Sequence, residues 1–548
     1  MTWPAARHPA TTVPEDLGDP LLQVWVAAWG GHAVVHQPLH LFDANAFWPL
    51  KNSLAFSDSL LGYFPLGLVG SGPTAGLVRY NAIYILAFAL AFAGAYALAR
   101  QLGTGPLAAT VAGAAYAYAP WRIAQSGHLH VLSSGGIPLA LALLARGHGL
   151  AAGPARPWRG RPSVAGAGWA VAAWQLTIGF GLGLPFGYLI GLGTVLAAVG
   201  WWRAGRPALP RALLRADALG LAGFLLVGLL MARPYLAVAR AHPEARRDPA
   251  TVALFSPPLL GFAVAPDQDV LWGPRQRGLR SRLSFPPEMT LAPGLTVTVL
   301  AVVGAVIGGW SRRRRLALVG AVLVGGALAM GTRFPGGGRF SYLVLLHHAP
   351  GWAGLRTPGR LIVFLTLGLG LLAAAGVEGL ARGRRRWELG REARPGLGLG
   401  LGLRLLPALA VVAVLAEGLS TIPHPRPEPL PAALRGVAPP VLVLPSDDSD
   451  DDAAMFWSTA GFPALVNGSS GFTPASLAEL RAGTAGFPDR RSVDLLRRRG
   501  VRTVVMLRDR LPGTPWQGAA DKSVAGLPLS RTALAGAVVF RLAPAPTR

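Results

Sequence analysis

The sequence predicts a mainly α-helical, polytopic membrane protein of about 10–11 transmembrane helices, followed by a small α/β domain outside the cytoplasm. Three observations carry that prediction. The 548 residues are 52% hydrophobic and only 14% charged, with a mean hydropathy of +0.42, whereas a soluble protein carries about 25% charged residues. Ten stretches are apolar over nearly the length needed to cross ~30 Å of hydrocarbon. Arginine clusters follow alternate stretches, as retention of positive loops in the cytoplasm requires. A chain of several soluble domains, which the length alone would allow, is excluded.

The apolar stretches run from 80 to 99, 105 to 120, 131 to 146, 163 to 181, 184 to 202, 213 to 236, 292 to 310, 316 to 332, 358 to 381 and 401 to 420. The second, third and eighth are short for a span. Cytoplasmic loops are marked by Arg100; by Arg146, Arg156, Arg159 and Arg161; by Arg203, Arg206, Arg211 and Arg215; by Arg312–Arg315; and by Arg382, Arg384, Arg385, Arg386, Arg391 and Arg394. The complementary segments 1–79, 121–130, 237–291, 333–357 and 421–548 then lie outside. This divides the chain into an outer first loop (1–79), a transmembrane helical domain (80–420) and an outer C-terminal domain (421–548).

Residues 1–20 hold neither a signal h-region nor a span, yet the topology places them outside; the expectation is that a first span upstream of Met1 is missing from this chain. In residues 20–36, Trp25 and Trp29 stand four apart on one helical face, which predicts an apolar helix lying in the membrane interface. Beyond 421 the composition changes. A proline-rich linker (423–441) precedes a strand-like VLVLP (441–445) and an acidic run, Asp447, Asp448, Asp450, Asp451 and Asp452. SVDLLRRRGVRTVVMLRD (492–509) reads as a helix, a glycine stop and a buried strand. The GLGLGLGL run (396–403) is low-complexity membrane sequence rather than a phosphate loop.

The formal charge is +25, from 51 basic and 26 acidic residues, and only Lys51 and Lys522 are lysines. Such an excess suits nucleic acid, but its distribution by loop parity favours membrane topology and argues against a nucleic-acid partner. With no cysteine in the chain, disulfides, thiolate metal sites and cysteine nucleophiles are excluded. No Walker loop, dinucleotide fingerprint or serine-hydrolase elbow occurs in a strand-to-helix context.

Four outer acids border predicted membrane boundaries: Asp16 and Asp19 in PEDLGDP, Asp43 in FDAN, and Asp58 in FSDS. A partly desolvated carboxylate there can serve as a general base; the alternative is a loop acid capping a turn or helix, for which Asp58 and Asp19 are both placed. His128 and His130, two apart in SGHLHVLSS, point to one side if the segment is extended. They suit hydrogen bonding to sugar or phosphate better than a metal, for no third ligand of matching spacing is evident. The long loop 237–291 carries Asp267, Asp269 and Glu288 as further site candidates. Asp-x-Asp can hold a divalent cation, and solvated loop acids are the alternative.

Four stretches taken together resemble the bacterial, polytopic GT-C glycosyltransferase superfamily: residues 18–62, YAPWRIAQSGHLHVLSS (118–134), GLRTPGRL (354–361) and FWSTAGFPALVNGSSGF (456–472). The resemblance implies a transferase that takes a sugar from a polyprenyl-phosphate carrier and passes it to a cell-envelope glycolipid or polysaccharide on the outer face. It implies no cofactor beyond that lipid-linked donor, and a location in the bacterial inner membrane. The superfamily's catalytic acid lies in the first outer loop, which here is Asp19, with Asp16 as the near alternative; an absent first span departs from the pattern. The leaving lipid phosphate needs fixed positive partners, and Arg122, Arg356 and Arg360 are the outer candidates, Arg356 and Arg360 four apart before a span. Snorkelling to membrane lipids is the other reading of these two. Phe456, Trp457, Phe472, Asn467, Ser469 and Ser470 suit a sugar surface and, somewhat better, an ordered core. A non-catalytic scaffold or a lipid-linked-glycan transport protein of the same fold is the rival function.

Overall fold

The computed structural model describes residues 1–150, 160–389 and 397–544, without the side chains of 383–389 and 397–404. Arg156, Arg159, Arg391 and Arg394 thus lie outside the described residues, as do the side chains of Arg384–Arg386 and most of the glycine–leucine run. The chain is mostly helical and forms two compact units. One holds 84–231 and 247–422; the other gathers 3–83, 232–246 and 423–548. The first 83 residues and the C-terminal segment, far apart in sequence, therefore fold largely into the same unit.

In the helical unit each of the ten apolar stretches carries a helix. Among the described residues five segments are long and apolar enough to cross a membrane: Gly72–Gln101, Leu129–Gly147, Phe180–Arg203, Arg211–Ala241 and Pro358–Arg382. Others are shorter than expected. Pro106–Ala117 has 12 residues and Leu295–Ile307 has 13, and at ~1.5 Å per residue such helices reach only about 20 Å. Pro106 and Gly308 set their limits. Leu295–Ile307 packs on Ile362–Leu389, which also packs on Pro106–Ala117. The first crossing is made by absent side chains: a Cβ on Gly304 would lie 1.8 Å from the Leu372 carbonyl oxygen, and one on Gly376 2.5 Å from that of Leu300. Such close backbone approach is what small residues provide between membrane helices. Phe180–Arg203 and Arg211–Ala241 instead expose Leu192, Leu196, Leu219 and Leu229, an apolar surface suited to hydrocarbon.

The second unit contains a four-stranded sheet of order β1-β2-β4-β3, with β1 Val441–Leu444, β2 Thr503–Leu507, β3 Leu529–Leu534 and β4 Ala537–Leu542. β1 and β2 are parallel; β4 is antiparallel to both β2 and β3. Leu442, Val504, Met506 and Phe540 share a core with Val493 and Leu496 of the helix Arg490–Arg498. Asp489 and Ser492 close a capping box at that helix's start, and Gly500, at φ +79°, turns the chain into β2. The expected helix, glycine stop and buried strand are all present.

Asp19–His36 is helical as expected, and its apolar face is buried within the protein. Trp25 and Trp29 are 2% and 3% exposed. Their ring nitrogens donate to Asn45 Oδ1 and the Leu41 carbonyl, each at 2.9 Å. The helix packs on Phe64–Gly67 and on Asp448–Ser458, and a Cβ on Gly31 would sit 2.1 Å from the Gly67 carbonyl carbon. Each indole withdraws about 150–250 Å² from water, so the apolar face is consumed inside the protein. An i, i+4 tryptophan pair fits either environment. Backbone bonds Leu465 N–H to Asn45 O and Phe47 N–H to Asn467 O tie the first loop to the C-terminal segment.

Candidate active site

In the helical unit, three irregular segments converge. Proline starts a short turn in each, at Pro120, Pro286 and Pro358. Arg122 organises the first. Its Nε donates to the Tyr116 carbonyl (2.6 Å), Nη1 to the Leu132 carbonyl (3.1 Å) and Nη2 to Ser134 Oγ (2.8 Å). The guanidinium lies 5.0 and 4.9 Å from the Tyr116 and Trp121 ring centres. The residue is fully buried, and burial pulls its pKa down to about 10, so it stays charged at neutral pH. The expectation that Arg122 meets a lipid phosphate is corrected: it clamps its own loop, and all three nitrogens already serve protein acceptors.

That clamp presents Gln125, His128 and His130 to Glu288 and Arg360. Arg360 Nη2 donates to Glu288 Oε1 at 2.5 Å, its Nε lies 3.4 Å from Oε2, and its Nη1 lies 2.9 Å from His130 Nε2. Gln125 Nε2 donates to Glu288 Oε2 at 3.1 Å. His128 Nε2 is 3.9 Å from Glu288 Oε1. With Arg360 donating to Nε2, His130 is a neutral acceptor carrying its proton on Nδ1. The segment Leu129–Leu132 is a helical turn rather than extended; the two imidazoles nevertheless lie 5.7 Å apart, edge to face. Burial pushes the Glu288 carboxyl up, but Arg360, His128 and the hydrogen bonds outweigh it and hold the pKa below the ordinary value. The fork of Arg360 is thus committed to a carboxylate, where the sequence offered it for phosphate. Arg356, four residues earlier, turns elsewhere. Its guanidinium stacks 5.2 Å from the Phe255 ring centre, close enough to Arg247 to add, after burial, to the lowering of that residue's pKa.

Asp269 Oδ1 accepts from the backbone N–H groups of Leu271 and Trp272 at 2.9 and 2.7 Å. It is a buried turn cap, and burial pushes its pKa up to about 6. Among the described residues no cluster of three His, Asp or Glu is arranged to hold a metal ion.

In the second unit, Asp19 opens the helix Asp19–His36, whose N-cap, Gly18, has no side chain to offer. Asp16 Oδ1 accepts from Gly18 N–H at 2.9 Å. A Cβ on Gly18 would fall 3.4 Å from Asp16 Oδ1 and 3.6 Å from Asp452 Oδ2, so the acidic run reaches the two first-loop acids. Asp19 is exposed and Asp452 buried. Asp43 is a correction: it accepts from Asn52 N–H (2.8 Å) and Lys51 Nζ (3.3 Å) and pairs with His40 (3.5 Å), consumed in closing its own loop. Asp58 lies outside the helices and near Tyr235, whose hydroxyl donates to the Ser57 carbonyl at 3.0 Å. Phe456, Trp457 and Asn467 are core residues. Sequence reasoning missed Gln125 and Asp452, although Gln125 stands three residues before His128 and Asp452 lies in the visible acidic run.

No protein-family model matches the sequence, and no curated protein does. Among solved structures the chain is similar to the arabinofuranosyltransferase AftD from Mycobacteria, at 16% identity and a TM-score of 0.53, over 95% of this chain and 41% of that one. The oligosaccharyltransferase AglB from Archaeoglobus fulgidus, solved with an inhibitory peptide and a dolichol-phosphate, matches at 13% identity and a TM-score of 0.41, over 96% and 70% of the two chains. ArnT from Cupriavidus metallidurans, in its apo state, matches at 14% and 0.36, over 97% and 95%. This chain thus spans under half the length of AftD, whose likeness carries the fold. The chain shares its fold with AftD.

Proposed function

We propose that the protein transfers a sugar from a polyprenyl-phosphate donor to a cell-envelope acceptor on the outer face of the bacterial inner membrane, with Asp19 as general base. The acceptor hydroxyl gives its proton to the Asp19 carboxylate and its oxygen bonds to the anomeric carbon. The bond from that carbon to the phosphate oxygen breaks, and the lipid phosphate leaves with the electron pair. Attack opposite the leaving group inverts the anomeric centre. No metal takes part, and the C-terminal segment lies outside the cytoplasm. The observation that carries this reading is an exposed carboxylate at the head of a buried helix, in a chain that shares its fold with AftD. In the helical unit, Arg356 beside Arg247 is the arrangement suited to a lipid phosphate, because two guanidiniums held together are relieved by a divalent anion.

The test is to incubate purified full-length protein in nanodiscs with labelled polyprenyl-phosphate sugars and to follow transfer or hydrolysis, comparing wild type with Asp19→Asn and Asp16→Asn. Loss in Asp19→Asn alone, with folding unchanged, supports the assignment. Equal turnover in all three removes both acids, and loss confined to Asp16→Asn moves the base.

A further inference from the structure

Two consecutive carboxyls of the helix Asp448–Ser458 meet opposite environments. Asp451 is fully buried and fully satisfied. It accepts from Arg481 Nη2 (2.9 Å), Asn467 Nδ2 (2.6 Å), Gly468 N–H (2.9 Å) and Ser446 Oγ (3.2 Å). Asp452 is 6% exposed and is bonded by the Ser469 side chain, while its Oδ1 is buried with no hydrogen-bond partner. The charges acting on it most strongly are acidic: Asp19 from the helix Asp19–His36, then Asp451 and Asp448 from its own helix. Asp16 adds a fourth acid across Gly18. Arg481 is bound to Asp451 and Asp448.

A buried carboxylate oxygen without a donor is costly, and a second carboxylate beside it raises the cost further. A metal ion would relieve both, but the described residues provide no three-ligand cluster for one. A proton needs only the pair. We propose that Asp19 and Asp452 hold one proton between them, seated on Asp452, so that Asp19 carries the single charge and Asp452 is its positioning residue. This rests on the reading of Asp19 as base and adds a partner to it. The neutral Asp452 lets Asp19 ionise without a buried negative charge beside it. Burial and the Asp19 charge, in that order, push Asp452 well above the ordinary carboxylate range, as a proton-holding group requires.

Infrared difference spectroscopy of the full chain across pH tests the pair without turnover. At about pH 8, where ordinary carboxyls are ionised, wild type should retain a protonated-carboxyl C=O band that shifts in heavy water. The band should vanish in Asp452→Asn. In Asp19→Asn, which alters an exposed group and leaves the core intact, the band should titrate at lower pH than in wild type, because the like charge is gone. No such band in wild type, its survival in Asp452→Asn, or an unmoved titration in Asp19→Asn would overturn the pair. Loss of transfer in Asp19→Asn bears on the base alone, so the two ideas fail separately.

Discussion

Arg360 and Glu288 form a nearly enclosed ion pair, Nη2 to Oε1 at 2.5 Å, with the two side chains 20% and 7% exposed. The pair joins the turn Pro358–Leu361, which opens the span Pro358–Arg382, to the turn Pro286–Met289, and His130 and Gln125 complete it. Removing one partner strands the other's charge. Arg360→Met should therefore destabilise the protein by about 3–5 kcal/mol, read as a lower midpoint of thermal unfolding in detergent. The double variant Arg360→Met, Glu288→Met should recover most of that loss. A double variant as unstable as the single one would mean that the pair's neighbours, rather than the uncompensated charge, carry the effect.

The same carboxyl makes stability depend on acid. Glu288 is depressed in the folded state from an ordinary value of 4.5. The unfolded chain therefore binds its proton first as pH drops. The contribution is full above 4.5 and is lost as pH falls through the lower, folded value. Unfolding midpoints measured from pH 7 down to pH 3 should decline in wild type and decline less in Glu288→Gln. Parallel curves would show that other carboxyls set the acid limb.

The helices were legible because a run of apolar residues needs no partner to be recognised, and all ten stretches are helical. Their true lengths were not, since Tyr118 and Gly308 cap helices inside longer apolar runs. His128, His130, Glu288 and Arg360 could each be singled out from residue type and position. Their meeting could not, because it depends on how three separated loops pack. Arg122 shows the opposite failure. An arginine near a membrane boundary reads as a phosphate ligand, and the carbonyls of Tyr116 and Leu132 that absorb it leave no mark in the side-chain sequence. Trp25 and Trp29 were read as neighbours on one helical face, but that their rings pack inside the protein left no mark in the sequence.

At Gly304 the helix Leu295–Ile307 touches the backbone of its neighbour, with 1.8 Å between a Cβ position and the Leu372 oxygen. Gly304→Ala must push the helices apart and should cost about 1–3 kcal/mol. Gly320, in Arg312–Ala329, has nothing within 4 Å of its Cβ position, and Gly320→Ala should be neutral or gain up to about 1 kcal/mol through helix propensity. Thermal unfolding of the two variants side by side distinguishes packing from propensity. Equal shifts would show that the crossing relaxes freely.

Asp452 should reverse the acid dependence of Glu288. Its folded pKa stands above the unfolded value of 3.8, chiefly through burial and then through Asp19. The folded state thus holds a proton that the unfolded chain has released. Its contribution is full below 3.8 and is lost as pH rises towards the folded value. Asp452→Asn keeps the shape and cannot ionise. The variant and wild type should unfold at similar temperatures near pH 3, and the variant should be the more stable at pH 8. Asp451→Asn, which breaks a satisfied pair with Arg481, should be less stable than wild type at pH 8. If Asp452→Asn loses stability equally at both ends of the range, then Asp452 is ionised in the fold, and its neighbours must neutralise it by a route other than a proton.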